Sequence, residues 1–219
     1  MEPKVELYLN HEIGLWLIRK VLYDPNLIKK VRLVVSPDMS ILKEASPVFD
    51  VYQNHLEIDT PAKDGILLSV HYDRKFSQEY LSHYKTALNL HPSYLPYGRG
   101  RHPIFWAVYN GEPLGATLHY IVEEIDKGPI VKQIRVEDTS LDGYGAYLKV
   151  LECQKEIMTY DLLREIFIGQ RMCAMTPDYT VGSNHKETDI YEIKKTDKSE
   201  HAKRCLSFKG YTLNGKLCQ

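Results

Sequence analysis

The chain has 219 residues, of which 43% are hydrophobic and 26% charged, so it can form one domain with a substantial core. Its formal net charge of −1 argues against the basic surface of a nucleic-acid binder, and neither DNA nor tRNA is expected as the main partner. No apolar run approaches the ~18 residues of a membrane span. Since the first residues also lack a signal-peptide pattern, we expect a cytoplasmic protein with no membrane partner.

The first half of the chain alternates predicted strands with predicted helices. The predicted strands are Val5–Leu9, Val31–Val35, Gly65–Val70 and Thr86–Leu90. Apolar residues recur at helical spacing behind the first strand, and Ser77–Tyr84 is also predicted to be helical. The third strand is almost uninterruptedly apolar, which is typical of a strand covered on both faces in a parallel sheet. This alternation predicts an α/β fold with an open, doubly wound sheet.

The second half begins with two β-prone runs, Gly115–Val122 and Pro129–Val136, separated by a polar stretch. After Leu141 one long helix is predicted, ending near Gly169. Its apolar stripe is predicted to contain Tyr144, Leu148, Leu151, Met158, Leu162 and Ile166. The remainder, 175–219, is predicted to form turns with short strands.

The four cysteines, Cys153, Cys173, Cys205 and Cys218, show neither a Cys-x-x-Cys pair nor another zinc spacing. Reduced thiols are expected, because disulfide scaffolds belong mainly to small secreted domains. The histidines show no ligand cluster either. The sequence therefore predicts no metal site.

Polar side chains mark the end of the predicted strand Thr86–Leu90. Asn89 and His91 are two residues apart, so they share one face of an extended strand, and Pro92 should end that strand. An amide can hydrogen-bond an oxyanion and an imidazole can take a proton from an amine, a combination that suits acyl transfer. A strand end with a satisfied histidine and a turn-forming asparagine explains this segment equally well.

Asp126 lies in the turn-like connection Ile125-Asp126-Lys127-Gly128. Most aspartates in such a setting only stabilise the turn. A functional interpretation requires the carboxylate near the imidazole, where it would orient the ring and stabilise its protonated form. Spacing alone does not decide between the two interpretations.

The two segments together resemble the folate-dependent formyltransferases. The resemblance rests on Asn-x-His-Pro-Ser-x-Leu-Pro from Asn89, followed by Arg99-Gly100, then Gly115-x-Thr117-x-His119, then Asp126-x-Gly128. It is close over residues 65–136. The family's catalytic Asn, His and Asp fall on Asn89, His91 and Asp126, without substitution.

The resemblance implies a Rossmann-like fold and N10-formyltetrahydrofolate as the formyl donor. No Gly-x-Gly-x-x-Gly occurs, so the fold is not interpreted as NAD-binding. The donor's pterin is expected between the two strand-end segments, with cofactor-binding residues Ser69, Val70, His71, Tyr72, Ile121, Val122, Glu123, Glu124 and Ile125. For Val70, core packing is at least as good an explanation.

The acceptor amine is inferred by exclusion within the family. The chain lacks the glycine-rich phosphate turn of glycinamide ribonucleotide transformylases and the basic C-terminal barrel of methionyl-tRNA formyltransferases. It is most similar to the short sugar N-formyltransferases, which implies a nucleotide-linked amino sugar as substrate. The substrate-binding candidates are Arg74, Tyr94, Arg99, Arg101, His185, Lys186 and Tyr211. For each of these residues taken singly, a solvated surface charge or an aromatic side chain in the core is about as good an explanation as substrate binding.

Residues 1–170 are expected to form the catalytic domain and residues 171–219 a small C-terminal extension that packs on it and contributes to acceptor binding. The long helix could also serve as the face of a homodimer. Two alternatives stay open: a formyltransferase for another amine, such as a purine precursor, amino acid or peptide, and a non-catalytic module that binds folate or nucleotide.

Overall fold

The computed structural model describes residues 4–138 and 140–206. Its strands are β1 Val5–Leu9, β2 Val31–Val35, β3 Asp50–Tyr52, β4 Gly65–Val70, β5 Tyr84–His91, β6 Arg99–Gly100, β7 Gly115–Tyr120, β8 Ile130–Arg135 and β9 Asn184–His185. Its helices are α1 His11–Leu22, α2 Pro25–Ile28, α3 Met39–Ala45, α4 Gln78–Leu81, α5 Pro103–Asn110, α6 Gly143–Ile157, α7 Tyr160–Phe167, α8 Glu187–Thr196 and α9 Glu200–Leu206. None of these helices is long and apolar enough to cross a membrane.

Seven of the strands form one sheet in the order β3-β2-β1-β4-β5-β7-β8. The five strands from β3 to β5 are parallel, whereas β7 and β8 pair antiparallel at one edge. The predicted open, mainly parallel α/β sheet is therefore confirmed. The order reverses between β1 and β4, and in such sheets the crevice for a ligand opens at the carboxyl ends of the strands.

The two faces of the sheet differ in chemistry because side chains alternate along each strand. One face carries Leu7, Leu68 and Leu90, which pack in the largest core cluster together with apolar residues of α1 and α6. The other face carries a smaller apolar cluster and, near the carboxyl end of β5, the polar Asn89 and His119. The candidate site thus lies on the less apolar face.

The region 143–167 forms two helices instead of the single one predicted. The break falls at Thr159, whose hydroxyl accepts a hydrogen bond from the amide of Leu162 at 3.2 Å and so starts α7 with a cap. The predicted apolar stripe is also wrong at its beginning. Tyr144 and Leu148 are exposed, and α6 instead buries Ala146, Val150, Leu151, Cys153, Gln154 and Ile157.

Helix α4 is shorter than the predicted Ser77–Tyr84. It ends at Leu81, because Tyr84 already belongs to β5 and packs in the apolar cluster of the less apolar face. Tertiary packing overrides the local helical pattern here.

The described part of the C-terminal region contains the helices α8 and α9, where the sequence predicted turns with short strands. Their apolar residues Ile190, Cys205 and Leu206 pack against Phe105 and Trp106 of α5. This burial explains why the region is helical despite its polar composition. Whether it is a separate extension from residue 171 stays a prediction, and Cys218 lies outside the described residues.

Candidate active site

Asn89 lies opposite His119 across the antiparallel pair of β5 and β7. The Nδ2 atom of Asn89 is 3.4 Å from the Nε2 atom of His119. The Nδ1 atom of His119 is 2.9 Å from the carbonyl oxygen of Tyr120 and therefore donates to it. The lone pair on Nε2 is then left to accept from the Asn89 amide.

His119 is held in its neutral form. Only 2% of its surface is exposed, and this burial lowers its pKa to about 4, against an opposing effect of the Asp126 carboxylate. Since neutral His119 engages one amide hydrogen of Asn89, the second hydrogen can be donated to a ligand.

His91 lies at the last position of β5 and is buried. Its Nε2 atom is 2.9 Å from the carbonyl oxygen of Gly98 and 3.7 Å from Oδ2 of Asp126. Both neighbours are acceptors, so Nε2 carries the proton and donates to Gly98. The basic nitrogen of this imidazole is consequently Nδ1.

Asp126 sits between the two imidazoles. Its Oδ2 accepts a hydrogen bond from the amide of Gly100 at 2.9 Å, and its Oδ1 is 3.6 Å from Nε2 of His119. The residue has a φ of 54°, a left-handed conformation that aspartate tolerates in turns. With 10% of its side chain exposed, the carboxylate can stabilise a proton on His91. The three residues singled out in the sequence are thus brought into one cluster.

The loop after His91 is held by groups that the sequence reasoning did not assign to the site. The hydroxyl of Thr117 donates to the carbonyl of Ser93 at 2.7 Å and accepts from the amide of Leu95 at 3.2 Å. The side chain of Gln133 donates to the carbonyl of Leu95 at 2.7 Å. Thr117 and His119 are two residues apart on β7, and that spacing is the signal that could have placed both on the face of Asn89.

The predicted donor-binding residues at the end of β4 have different environments. Ser69 is buried beside Asn89 in the parallel register, whereas Val70 packs in the core. The hydroxyl of Tyr72 accepts from the amide of His55 at 3.1 Å, within a group of packed aromatic rings. The side chain of Tyr72 is therefore engaged by the protein itself.

His71 leaves the strand with a φ of 57°, which turns its ring over the end of the sheet. Its Nε2 atom is 2.6 Å from the side-chain amide of the buried Gln154 in α6. Burial lowers the pKa of His71 to about 3, so this imidazole is neutral.

The second predicted donor-binding segment, 121–125, directly precedes Asp126 in the chain. The amide of Ile121 continues the ladder by donating to the carbonyl of Ala87 at 2.8 Å. The next four residues, Val122, Glu123, Glu124 and Ile125, are exposed. The loop therefore offers an accessible edge beside Asp126.

Three of the predicted acceptor-binding residues lie in or directly beside the short paired strands β6 and β9. The guanidinium of Arg99 lies 5.6 Å from the ring centre of Tyr179, and that of Arg101 donates to the carbonyl of Asp73 at 2.8 Å. His185 stacks on Trp106 with ring centres 4.0 Å apart.

The other predicted acceptor-binding residues are dispersed. Arg74 is exposed, Lys186 is exposed just before α8, and Tyr94 lies 5.9 Å from the guanidinium of Arg135. Tyr211 lies outside the described residues. In the part of the chain that the structure describes, no three His, Cys, Asp or Glu side chains are grouped as metal ligands.

The sequence is similar to known formyltransferases. Residues 53–158, which contain the whole cluster, match the family model described as Formyl transferase. The chain is 26% identical over 138 residues to the dTDP-4-amino-4,6-dideoxyglucose formyltransferase of Mycobacterium tuberculosis. That alignment covers 62% of this chain and 56% of the relative, so the chain spans little more than half of that protein's length.

Solved structures share the fold over nearly the whole chain. A 4-N formyltransferase from Francisella tularensis superposes with a TM-score of 0.76, at 21% identity and with coverage of 95% of this chain and 90% of that one. The N-formyltransferase from Helicobacter canadensis, in complex with folinic acid and dTDP-3-aminofucose, superposes with a TM-score of 0.72 at 21% identity, covering 96% and 82%.

Proposed function

We propose that this chain, whose residues 53–158 match the formyl transferase family model, transfers a formyl group from N10-formyltetrahydrofolate to the amine of a nucleotide-linked amino sugar. The observation that carries the proposal is the cluster itself. An amide with a hydrogen to spare, a basic imidazole nitrogen and a carboxylate meet at the carboxyl end of β5. These are the groups that formyl transfer to an amine requires.

In the proposed reaction the neutral amine attacks the formyl carbon, and the carbonyl oxygen becomes an oxyanion. Asn89 donates its second amide hydrogen to that oxygen, an interaction worth about 3 kcal/mol in comparable sites. His91 takes the amine proton on Nδ1, and Asp126 stabilises the resulting imidazolium. The carbon–N10 bond then breaks, and the proton passes to N10 of tetrahydrofolate.

The donor would bind between the end of β4 and the loop 121–125. In this proposal Ser69 and the backbone of His71 and Tyr72 would border this space on one side, and the backbone of Ile121 to Ile125 would border it on the other. The folinic acid held by the Helicobacter canadensis protein of the same fold supports a folate donor. No residue of this chain is assigned to a metal.

The acceptor would enter from the side of β6 and β9. Arg99 and Arg101 supply cationic groups there, which suit a pyrophosphate, and the exposed Arg74 is a further candidate. The sugar-nucleotide substrates named for the relatives from Mycobacterium tuberculosis and Helicobacter canadensis support this substrate class.

One assay tests the proposal against its alternatives. The purified protein is incubated with N10-formyltetrahydrofolate and a panel of dTDP-, UDP- and GDP-linked amino sugars, and each acceptor is examined by mass spectrometry for the gain of one formyl group. The His91→Gln protein serves as the control. Product from at least one sugar in the wild-type reaction alone is expected.

Two results would contradict the proposal. Formylation of an amino acid, peptide or purine precursor in preference to every nucleotide sugar would assign another acceptor class. Folate binding without product from any amine would indicate a non-catalytic module.

A cytoplasmic location and a homodimer remain part of the proposal. The exposed Tyr144 and Leu148 on α6 provide an apolar surface for a second copy. Sedimentation of the Leu148→Glu protein beside the wild type would test that face.

A further inference from the structure

The backbone of Gly98 connects the candidate base to the C-terminal region. Its carbonyl oxygen accepts from Nε2 of His91 at 2.9 Å, and its amide donates to the hydroxyl of Ser183 at 2.8 Å. The same hydroxyl donates to Oε2 of Glu112 at 2.6 Å. Glu112, Ser183 and Gly98 therefore link a carboxylate to the imidazole through successive contacts.

The segment 182–185 lies directly along the loop that carries Gly98. The amide of Arg99 donates to the carbonyl of Ser183 at 3.1 Å, and that of Arg101 donates to the carbonyl of His185 at 2.9 Å. A Cβ atom on Gly182 would come within 2.3 Å of the carbonyl oxygen of Pro96. Only a residue without a side chain permits this approach. The backbones of the two segments are therefore in close contact at Gly182, in addition to the two hydrogen bonds.

The hydroxyl of Ser183 has only one proton, and that proton is committed to Glu112. Because the carboxylate is charged, this bond is stronger than a neutral one and holds the hydroxyl rotor in place. The oxygen then presents a lone pair to the Gly98 amide. The carbonyl that accepts from His91 belongs to the next peptide group, whose amide is that of Arg99 and donates to the backbone carbonyl of Ser183. Ser183 therefore holds both peptide groups that flank the Cα atom of Gly98.

We infer that Ser183, supported by Glu112, is a positioning residue for His91. By fixing the backbone at Gly98, it holds the carbonyl that accepts from His91 and so keeps the proton on Nε2, which leaves Nδ1 as the base. The inference rests on the proposed formyl transfer for its kinetic consequence, but the protonated nitrogen of His91 can be measured without any substrate.

The first test is ¹⁵N NMR of the histidine side chains in the protein without ligand, with His91 assigned from the His91→Gln spectrum. In the wild type we expect the Nε2-protonated form of His91. In Ser183→Ala we expect a mixture of the two neutral forms, and in Ser183→Thr, which keeps the hydroxyl, the wild-type form.

The matched control is Thr180→Ala. Thr180 lies in the same segment and also donates to a carboxylate, that of Asp178 at 2.6 Å, so its hydroxyl is bonded within its own turn. Its replacement should leave the His91 resonances unchanged. An unchanged His91 in Ser183→Ala, or an equal change in Thr180→Ala, would overturn the inference.

The second test separates positioning from binding by kinetics. Ser183→Ala should lower kcat on the order of tenfold, as for groups that orient a histidine in metal sites, with the KM for both substrates within a factor of two. Glu112→Ala should resemble it, and Glu112→Gln, whose amide oxygen can still accept from Ser183, should stay near wild type. A change confined to KM would contradict the inference.

Different results would contradict the proposed function and the positioning role of Ser183. If the wild type formylates no amine, the proposed function is wrong, and the NMR comparison still decides whether Ser183 orients His91. If the wild type is active but Ser183→Ala retains both its kcat and its His91 spectrum, only the positioning role is wrong.

Discussion

Two polar clusters lie on the same face of the main sheet, one at each end. At the amino end, the fully buried carboxylate of Glu6 accepts four hydrogen bonds. Tyr8 and Tyr84 donate to its Oε2 through their hydroxyls, and Arg32 and the amide of Ala62 donate to its Oε1. Every lone-pair direction of this carboxylate is occupied by the protein itself.

At the carboxyl end the polar groups are close but incompletely bonded to one another. Asp126 is 3.6 Å from His119 and 3.7 Å from His91, and Asn89 is 3.4 Å from His119. The short hydrogen bonds of this cluster go to backbone groups, at Gly98, Gly100 and Tyr120. The backbone therefore orients these side chains and leaves some of their hydrogen-bonding groups available.

The difference separates a structural cluster from a candidate catalytic one. A saturated carboxylate such as Glu6 cannot take up a ligand or a proton without losing a bond that the fold needs. The side chains of Asn89 and His91 retain an amide hydrogen and a basic nitrogen. Substitutions at the two ends should accordingly affect different quantities.

The largest effect is expected at the carboxyl end, on turnover. Asn89→Ala should lower kcat by about 10²–10³-fold, since it removes one oxyanion donor. His91→Gln should lower it by about 10²–10⁴-fold, since it removes the base. Neither should change the free energy of unfolding by more than about 1 kcal/mol in urea titrations. Turnover within a few-fold of wild type in either variant would show that the chemistry lies elsewhere.

The next effect is expected at the amino end, on stability. Glu6→Gln places an NH₂ group among four donors and leaves Arg32 without its charged partner. The free energy of unfolding should fall by about 3 kcal/mol, the cost of breaking a buried pair. Urea denaturation measures this loss, and the kcat of the folded fraction should stay within twofold of wild type.

Glu79→Gln is the matched control, because Glu79 is exposed on α4. It should change the free energy of unfolding by no more than about 0.5 kcal/mol. If Glu6→Gln is as stable as this control, the four hydrogen bonds do not stabilise the fold. If it is stable and inactive, the distinction between the two clusters is wrong.

The sequence predicted the central strands because their patterns are local. Strands β1, β2 and β4 are short apolar runs, and they begin and end where the sequence predicts. The helix α5 was not predicted, although Pro103 at its first turn and Gly111 at its end are both recognisable signals. In α8 the acidic first turn and basic last turn, with Glu187 and Lys195, were likewise signals that were not used.

The candidate site was predictable only in part, for a different reason. Asn89 and His91 share a strand, so their spacing alone places them together. The approach of Asp126 depends on the pairing of β5 with β7, and that of Ser183 on the two-residue strands β6 and β9. Strands so short carry no periodicity, and such long-range contacts leave no local pattern in one sequence.

The last effect is expected from pH, acts gradually, and again distinguishes the two ends. Burial lowers the folded pKa of His119 to about 4, below the ordinary value of about 6.5 in an unfolded chain. The contribution of this group to the free energy of unfolding is therefore fully present above pH ~6.5. It is lost as the pH falls toward ~4, because over that range only the unfolded chain takes up the proton. The loss should reach up to about 1.4 kcal/mol per pH unit for this one group.

Urea denaturation at several pH values between 7 and 4.5, for the wild type and His119→Gln, measures this contribution. The variant should show a shallower loss of stability toward acid, whereas His83→Gln, at an exposed histidine, should follow the wild type. In the folded protein His119 takes up a proton only near pH 4, where an N–H would face the amide of Asn89, so any loss of turnover through this group should begin only there. An identical slope in His119→Gln would mean that this imidazole is not held neutral, and Asn89 would then lack the partner that leaves its second hydrogen to the oxyanion.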